Sequence, residues 1–361
     1  MGTILSLFLV SYYPYVLTLY SGTAQSAMAG ADVALAEDAF GLFYNPAGMA
    51  YLSNPDLRLE LRQILSVISA ERWGTALAAP VARALGAGFY ATGIYHHYEY
   101  TPETTFYHHE FLLGPAVAWR PVPWLGAGLD LKLVGVRAES RGFPLDTTNA
   151  TGWAVDVGML ARHALPLGTG SVGIAAQHLG PKFHYDGSPN DDLPASLRLG
   201  AAYVISARQL LSDDGLALFR RNRWLQRREL LKNWFLDNWR VVVACDLFRI
   251  LRSSPYTNEP ENWWQSLGVE VRPLPFVPIR FGYFTDNSRY PDIGRSGWTM
   301  GVGLDFKYVR LDLTDANALF YPSNVFPFAG KRLTYALGFN FTDPILPAGW
   351  SLDKWILGGE R

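Results

Sequence analysis

From Leu57 onward the dominant period in this chain is two, the period of a strand whose side chains point alternately to opposite faces. Leu57, Leu59 and Leu61 alternate with Arg58, Glu60 and Arg62, and Leu125, Ala127, Leu129, Leu131 and Leu133 alternate with Gly126, Gly128, Asp130 and Lys132. The rule returns at Trp153 to Met159, at Leu197 to Ile205, and finally at Leu333, Tyr335, Leu337, Phe339 and Phe341 against Thr334, Ala336, Gly338 and Asn340. A soluble β-sandwich also alternates, but its apolar face is its core. Three features favour a barrel turned inside out. The apolar sets are long and aromatic, the strands run near the roughly ten residues a tilted membrane strand needs, and the opposing charges come in both signs.

Connections alternate between short and long. Val81 to Ala84, Pro121 to Trp124, Leu165 to Gly170, Pro273 to Pro278 and the turn near Phe306 are short and punctuated by Pro and Gly. Glu139 to Thr151, Gly180 to Asp192, Leu251 to Trp263, Thr285 to Ser296 and Asp315 to Arg332 are long. Outer-membrane barrels show this asymmetry between their periplasmic and external sides. The pattern therefore predicts an all-β fold, a transmembrane antiparallel β-barrel of about 14 strands, spanning residues 53–342 in the bacterial outer membrane. Its aromatic content of 14% beside 17% charged residues suits that setting, and a net charge of −1 offers nothing to nucleic acid.

Four segments depart from the alternation. Residues 1–19 form an apolar run broken by Pro14, with no Lys or Arg before Arg58, and read as a leader or a signal remnant. Residues 207–238 fall where a short periplasmic turn is expected, yet carry Arg220, Arg221, Arg223, Arg227, Arg228, Lys232 and Trp234 at helical spacing. Such a basic, aromatic helix suits contact with outer-membrane lipid or a periplasmic protein partner. Residues 343–361 read as a periplasmic tail. The fourth segment, residues 20–52, is rich in Gly and Ala and holds no Lys or Arg, so neither a long helix nor a clean strand fits it. A closed sheet of about fourteen strands encloses a lumen too wide for its own side chains to fill. Residues 20–52 are expected to lie in that lumen as a plug. Gly30, Asn45, Pro46 and Gly48 would set the plug's path, while Asp32, Glu37 and Asp38 would meet lumen charges. The inward candidates are Arg198, Arg240, Asp246, Glu270, Arg272, Arg280, Asp305, Arg310 and Asp312.

The same stretch carries a family resemblance. The run from Ser21 to Gly30, the run Ala31 to Ala39 and the turn Tyr44-Asn-Pro-Ala-Gly48 resemble the N-terminal plug signature of the FadL superfamily of outer-membrane barrels, and within it the PorV/PorQ branch most of all. His178-Leu-Gly-Pro-Lys-Phe183 and Leu197-Arg-Leu-Gly200 match as well, whereas Ala29 stands where the family usually has Gly. Thr334, Ala336, Phe339 and Phe341 resemble the last-strand signal for outer-membrane assembly. The PorV-like resemblance implies a non-enzymatic component of a protein-secretion or surface-assembly system with a protein partner. The wider resemblance implies the alternative, a passive channel for long-chain fatty acids or other hydrophobic compounds with a ligand in the lumen.

The sequence carries no sign of catalysis or of a cofactor. There is no GxSxG, P-loop or HExxH. The single Cys245 excludes an internal disulfide and any multi-cysteine metal site. His96-His97 and His108-His109 flank a turn at Thr101 to Thr104, and symmetric closure would set His96 opposite His109 and His97 opposite His108. These are weak metal candidates, because neighbours on a strand point to opposite faces. An aromatic and histidine belt near the outer rim is the expected role.

Overall fold

The computed structural model describes residues 15–17, 21–63, 69–101, 103–141, 148–165, 167–185, 192–207, 239–251, 263–286, 296–306, 308–316 and 334–340. The leader (1–14 and 18–20), residues 208–238 of the basic insert and the tail beyond 340 lie outside them. Arg220, Arg221, Arg223, Arg227, Arg228, Lys232 and Trp234 therefore lie outside as well.

The strands are β1 (Asp56–Gln63), β2 (Ser69–Ala82), β3 (Leu85–Thr101), β4 (Thr104–Val122), β5 (Leu125–Arg141), β6 (Thr148–Leu165) and β7 (Gly168–Leu179), followed by β8 (His184–Tyr185). They continue as β9 (Ser196–Ser206), β10 (Arg240–Ile250), β11 (Trp264–Leu274), β12 (Val277–Asp286), β13 (Ser296–Asp305), β14 (Val309–Asp315) and β15 (Thr334–Asn340). Every pairing is antiparallel; apart from β7 with β9 and β6 with β8, the paired strands are neighbours in the chain, and β1 closes on β15 through Asp56 opposite Asn340 to Arg62 opposite Thr334. The closed wall has fourteen strands, because β8 only extends the pairing of β6 at Ala150 and Thr151, past the point where β7 leaves it. Closure removes the unpaired edges that an open sheet would expose.

The inside-out reading holds along the wall. Leu61, Trp73, Trp119, Leu129, Trp153, Val172, Trp298 and Tyr335 are exposed on the outer face. Arg58, Glu60, Arg72, Asp130, Lys132, Asp156, Glu270 and Arg280 are buried on the inner one. Among the described residues no helix is long and apolar enough to cross a membrane. Strand lengths differ around the wall: β3, β4, β5 and β6 have 17, 19, 17 and 18 residues. Opposite them, β12, β13, β14 and β15 have 10, 10, 7 and 7. A crossing takes about 9–11 residues, so the longer strands stand well clear of the apolar belt. The projecting ends lie at the rim with the long connections, as the tight turns at 83–84, 123–124 and 275–276 all close the opposite rim.

Candidate functional site: the lumen and the segment inside it

Residues 21–52 run through the lumen, with Ala27, Ala29, Ala31, Val33, Ala39, Asn45 and Ala47 fully buried. The segment has little regular structure of its own: a five-residue α-helix at Thr23–Ala27 and 3-10 turns at Ala39–Phe43 and Pro46–Tyr51. Asp38 caps the first 3-10 turn by accepting from the backbone N–H of Phe40 at 3.0 Å. Asn45 caps the second by accepting from Ala47 N–H at 3.1 Å, and Pro46 occupies the first turn, where no N–H is needed. Gly30 turns the chain at φ 77°. Ala29 adopts φ 56°, a left-handed conformation that costs a Cβ-bearing residue about 1 kcal/mol.

A buried, irregular backbone needs partners for its N–H and C=O groups, and the wall supplies them. Asp246 accepts from the N–H groups of Asp32 and Val33, both at 3.0 Å. Asp56 accepts from Ala39 N–H at 2.7 Å, and Glu110 accepts from Val16 N–H at 2.6 Å. Thr299 donates to Ala27 C=O at 2.9 Å, Thr314 to Thr23 C=O at 2.8 Å and Ser171 to Ala34 C=O at 2.7 Å. Gln177 donates to Phe43 C=O at 2.8 Å. Inward glycines let the segment lie directly on the sheet. A Cβ at Gly128 would meet Pro46 and Ala47, and one at Gly158 would meet Asn45. One at Gly173 would meet Val33, and one at Gly282 would meet Ala29, each inside 3.0 Å. The alternation shows these glycines facing inward, but what they face is visible only in three dimensions.

The inner wall divides into two arcs. Along β10 to β15 and β1 it is charged. Glu270 sits at the centre and accepts from Arg240 and Arg272 at 2.9 Å each and from Arg280 at 2.7 Å. Arg280 also reaches Asp312 at 2.6 Å, Arg310 pairs with Asp312 at 2.8 Å, and Arg272 pairs with Asp305 at 2.9 Å. The inner segment joins this network at two points. Glu37 meets Arg240 at 2.5 Å, while Asp38 lies 3.9 Å from Arg310 and 4.0 Å from Arg58. Burial raises the pKa of Glu37, but Arg240 and Arg162 outweigh it and hold the carboxyl below its usual value.

Asp32 does not find an arginine as expected. Burial, reinforced by Asp38, Asp246 and Glu37, pushes its carboxyl well above the usual range. Arg198 also faces two aromatic rings. Its guanidinium lies 5.4 Å from the Tyr44 ring centre and 4.3 Å from that of Phe248.

Along β2 to β6 the arc is built round an apolar cluster, with Arg72, His108 and Glu110 buried beside it. Ala76, Ala78, Tyr90, Ile94, Leu112, Ala116, Ala118, Val134, Val136, Ala150 and Ala154 form one cluster with Phe183 and Leu193, and Phe40, Leu42 and Met49 of the inner segment fill it. On β4 the cluster climbs from Ala118, near the short-turn rim, to Leu112, and it continues on β5 to Val136 toward the other rim. Tyr90, Asp130, Lys132 and Asp156 make a polar island on this side: Tyr90 donates to Asp130 at 2.7 Å and Lys132 pairs with Asp156 at 2.6 Å. None of the four is distinguished in the sequence from any other inward polar residue, nor are Thr299, Thr314, Ser171 and Gln177.

The histidine hairpin closes one residue away from the symmetric expectation. His96 stands opposite His108, Tyr95 opposite His109, and His97 opposite Tyr107. The two-residue turn does pair Thr101 with Thr104, but an irregularity between Glu99 and Thr101 adds Tyr100 to β3 and slips the register. His108 faces the lumen and bonds Glu110 at 2.6 Å, whereas His97 and His109 lie among rings on the outer face. Among the described residues no three His, Cys, Asp or Glu side chains converge on a metal position.

No protein-family model matches the chain, and no curated protein matches its sequence. Solved structures share its fold. The CymD monoaromatic hydrocarbon channel aligns at 12% identity and TM-score 0.54, covering 88% of this chain and 96% of that one. The P. putida toluene transporter TodX aligns at 12% identity and TM-score 0.53, covering 90% and 99%. A Pseudomonas aeruginosa FadL homologue aligns at 10% identity and TM-score 0.48, covering 89% and 97%. The expectation of a PorV-like secretion or surface-assembly component is corrected by this finding: CymD and TodX, which share the fold above TM-score 0.5, are a monoaromatic hydrocarbon channel and a toluene transporter.

Proposed function

We propose that this chain is an outer-membrane barrel of the FadL superfamily that passes hydrophobic compounds through its lumen, with residues 21–52 as the plug and without enzymatic activity. The observation that carries this reading is the apolar arc. A solute leaving water for an apolar surface gains about 25 cal/mol per Å² of buried apolar surface, and the inner faces of β2 to β6 offer such a surface on either side of the Asp130, Lys132 and Asp156 island. The plug's Phe40, Leu42 and Met49 occupy it in this state, so passage requires those side chains to give way to the solute. The exchange is nearly balanced, because solute and plug bury the same kind of surface. The fold likeness to hydrocarbon channels supports the same reading.

Expression in the outer membrane of a host lacking its own hydrophobic-compound channel tests it. Uptake of radiolabelled toluene or oleate should rise several-fold over a host carrying an empty vector. Unchanged uptake of both, with the barrel folded in the outer membrane, would sink the reading.

A further inference from the structure

The outer face of β3 to β6, above the apolar belt, carries a groove of about 580 Å³ that neither transport nor barrel closure requires. Its floor is aromatic. Tyr95, Tyr107, His109 and Phe111 line it; the Tyr95 and His109 rings meet at 4.6 Å, and His97, outside the groove, backs Tyr107 at 4.9 Å. Phe111 lies flat over Gly135, where any Cβ would strike its ring. The flank on β5 and β6 is polar, a border formed by Arg137, Glu139, Asn149 and Thr151. Below, the outer face turns wholly apolar, with Leu131, Leu133 and Trp153 exposed on the same strands. The groove therefore straddles the change from apolar to polar surface, the level at which lipid headgroups sit.

We propose that this groove binds the saccharide headgroup of an outer-leaflet glycolipid. Three observations select that ligand. Adjacent ring faces suit the C–H faces of a sugar, and Asn149, Thr151 and the Tyr107 hydroxyl offer donors and acceptors to its hydroxyls. Arg137 is paired with Glu139 at 3.5 Å, so the border carries no surplus cation to select a phosphate alone. The exposed Leu131, Leu133 and Trp153 directly beneath supply a surface for the acyl chains. That continuity argues for a lipid-borne sugar over a free one. The inference rests on the outer-membrane placement proposed above and is independent of what crosses the lumen.

The test is native mass spectrometry of the full barrel in a detergent without a sugar headgroup, titrated with deep-rough lipopolysaccharide and, separately, with phosphatidylglycerol. The wild-type chain should bind one lipopolysaccharide. The double variant Tyr107→Ala with His109→Ala, which loses two stacking faces, should bind it about tenfold more weakly. Thr151→Trp, which fills the groove without removing a ring, should weaken it too and serves if the double variant does not fold, as judged by heat-modifiable gel mobility. Phosphatidylglycerol binding should be unchanged in both. Wild-type binding that survives both variants, no wild-type binding at all, or equal loss of phosphatidylglycerol would each overturn the proposal. Membrane fractionation reads placement separately, so a failure there is distinguishable from a failure of the groove.

Discussion

The two arcs of the lumen hold the same plug by different physics. On the β10 to β1 side, Glu37 and Asp38 enter a network in which carboxylates and guanidiniums are shared, with Glu270 held by three arginines, and such directional contacts lose most of their value when geometry slips. On the β2 to β6 side, Phe40, Leu42 and Met49 are held by burial, which is nondirectional and proportional to area. One contact fixes a position, while the other tolerates replacement by anything equally apolar. The comparison implies that the plug is anchored on its charged side and yields on its apolar side.

Breaking the centre of the charged arc should have the largest effect. Glu270→Ala leaves Arg240, Arg272 and Arg280 without their shared acceptor. Stranding buried charge of this kind costs about 3–5 kcal/mol. Thermal or urea unfolding of the barrel, followed by loss of its heat-modifiable mobility, should show it. A shift below about 1 kcal/mol would mean that water already screens the network.

A cut in the apolar arc should be smaller in stability and opposite in consequence. Leu42→Ala removes a buried side chain at a cost of about 2–5 kcal/mol. Because the loss falls on the plug's yielding side, toluene uptake should rise while the barrel's own unfolding barely moves. Equal loss of plug seating and of barrel stability would merge the two arcs into one.

The smallest change runs the other way. Ala29→Gly relieves the left-handed strain at φ 56° and should stabilise the seated plug by up to about 1 kcal/mol. Resistance of the N-terminal segment to limited proteolysis should increase. A decrease would show that the Ala29 side chain, buried beside Tyr44 and Phe284, contributes more by packing than its backbone costs.

Much of the barrel was legible from alternation alone, since Leu129, Leu131 and Leu133 against Asp130 and Lys132 can sit only in a strand with unlike faces. The short turns at 121–124, 165–170 and 273–278 were legible because Pro and Gly mark them. The register of the histidine hairpin was not, because one extra residue in β3 costs nothing in the pattern of either flank yet displaces every cross-strand pair beyond it. The inner charges were legible as inward-facing and illegible as pairs. Arg240 and Glu37 lie 203 residues apart and meet only through the closed wall, and Asp32, of the same residue type as Asp38, sits beside Gln25 among other carboxylates.

By itself the chain determined which side chains share a face, because a strand's period of two is a property of the backbone. Which of those faces meets lipid, and which stretch of the inner one is greasy or charged, was decided by the tertiary structure. Only closure of β1 on β15 wraps the apolar sets outward, gathers β2 to β6 into one apolar arc and β10 to β1 into one charged arc, and leaves between them a space that the segment after Tyr20 fills.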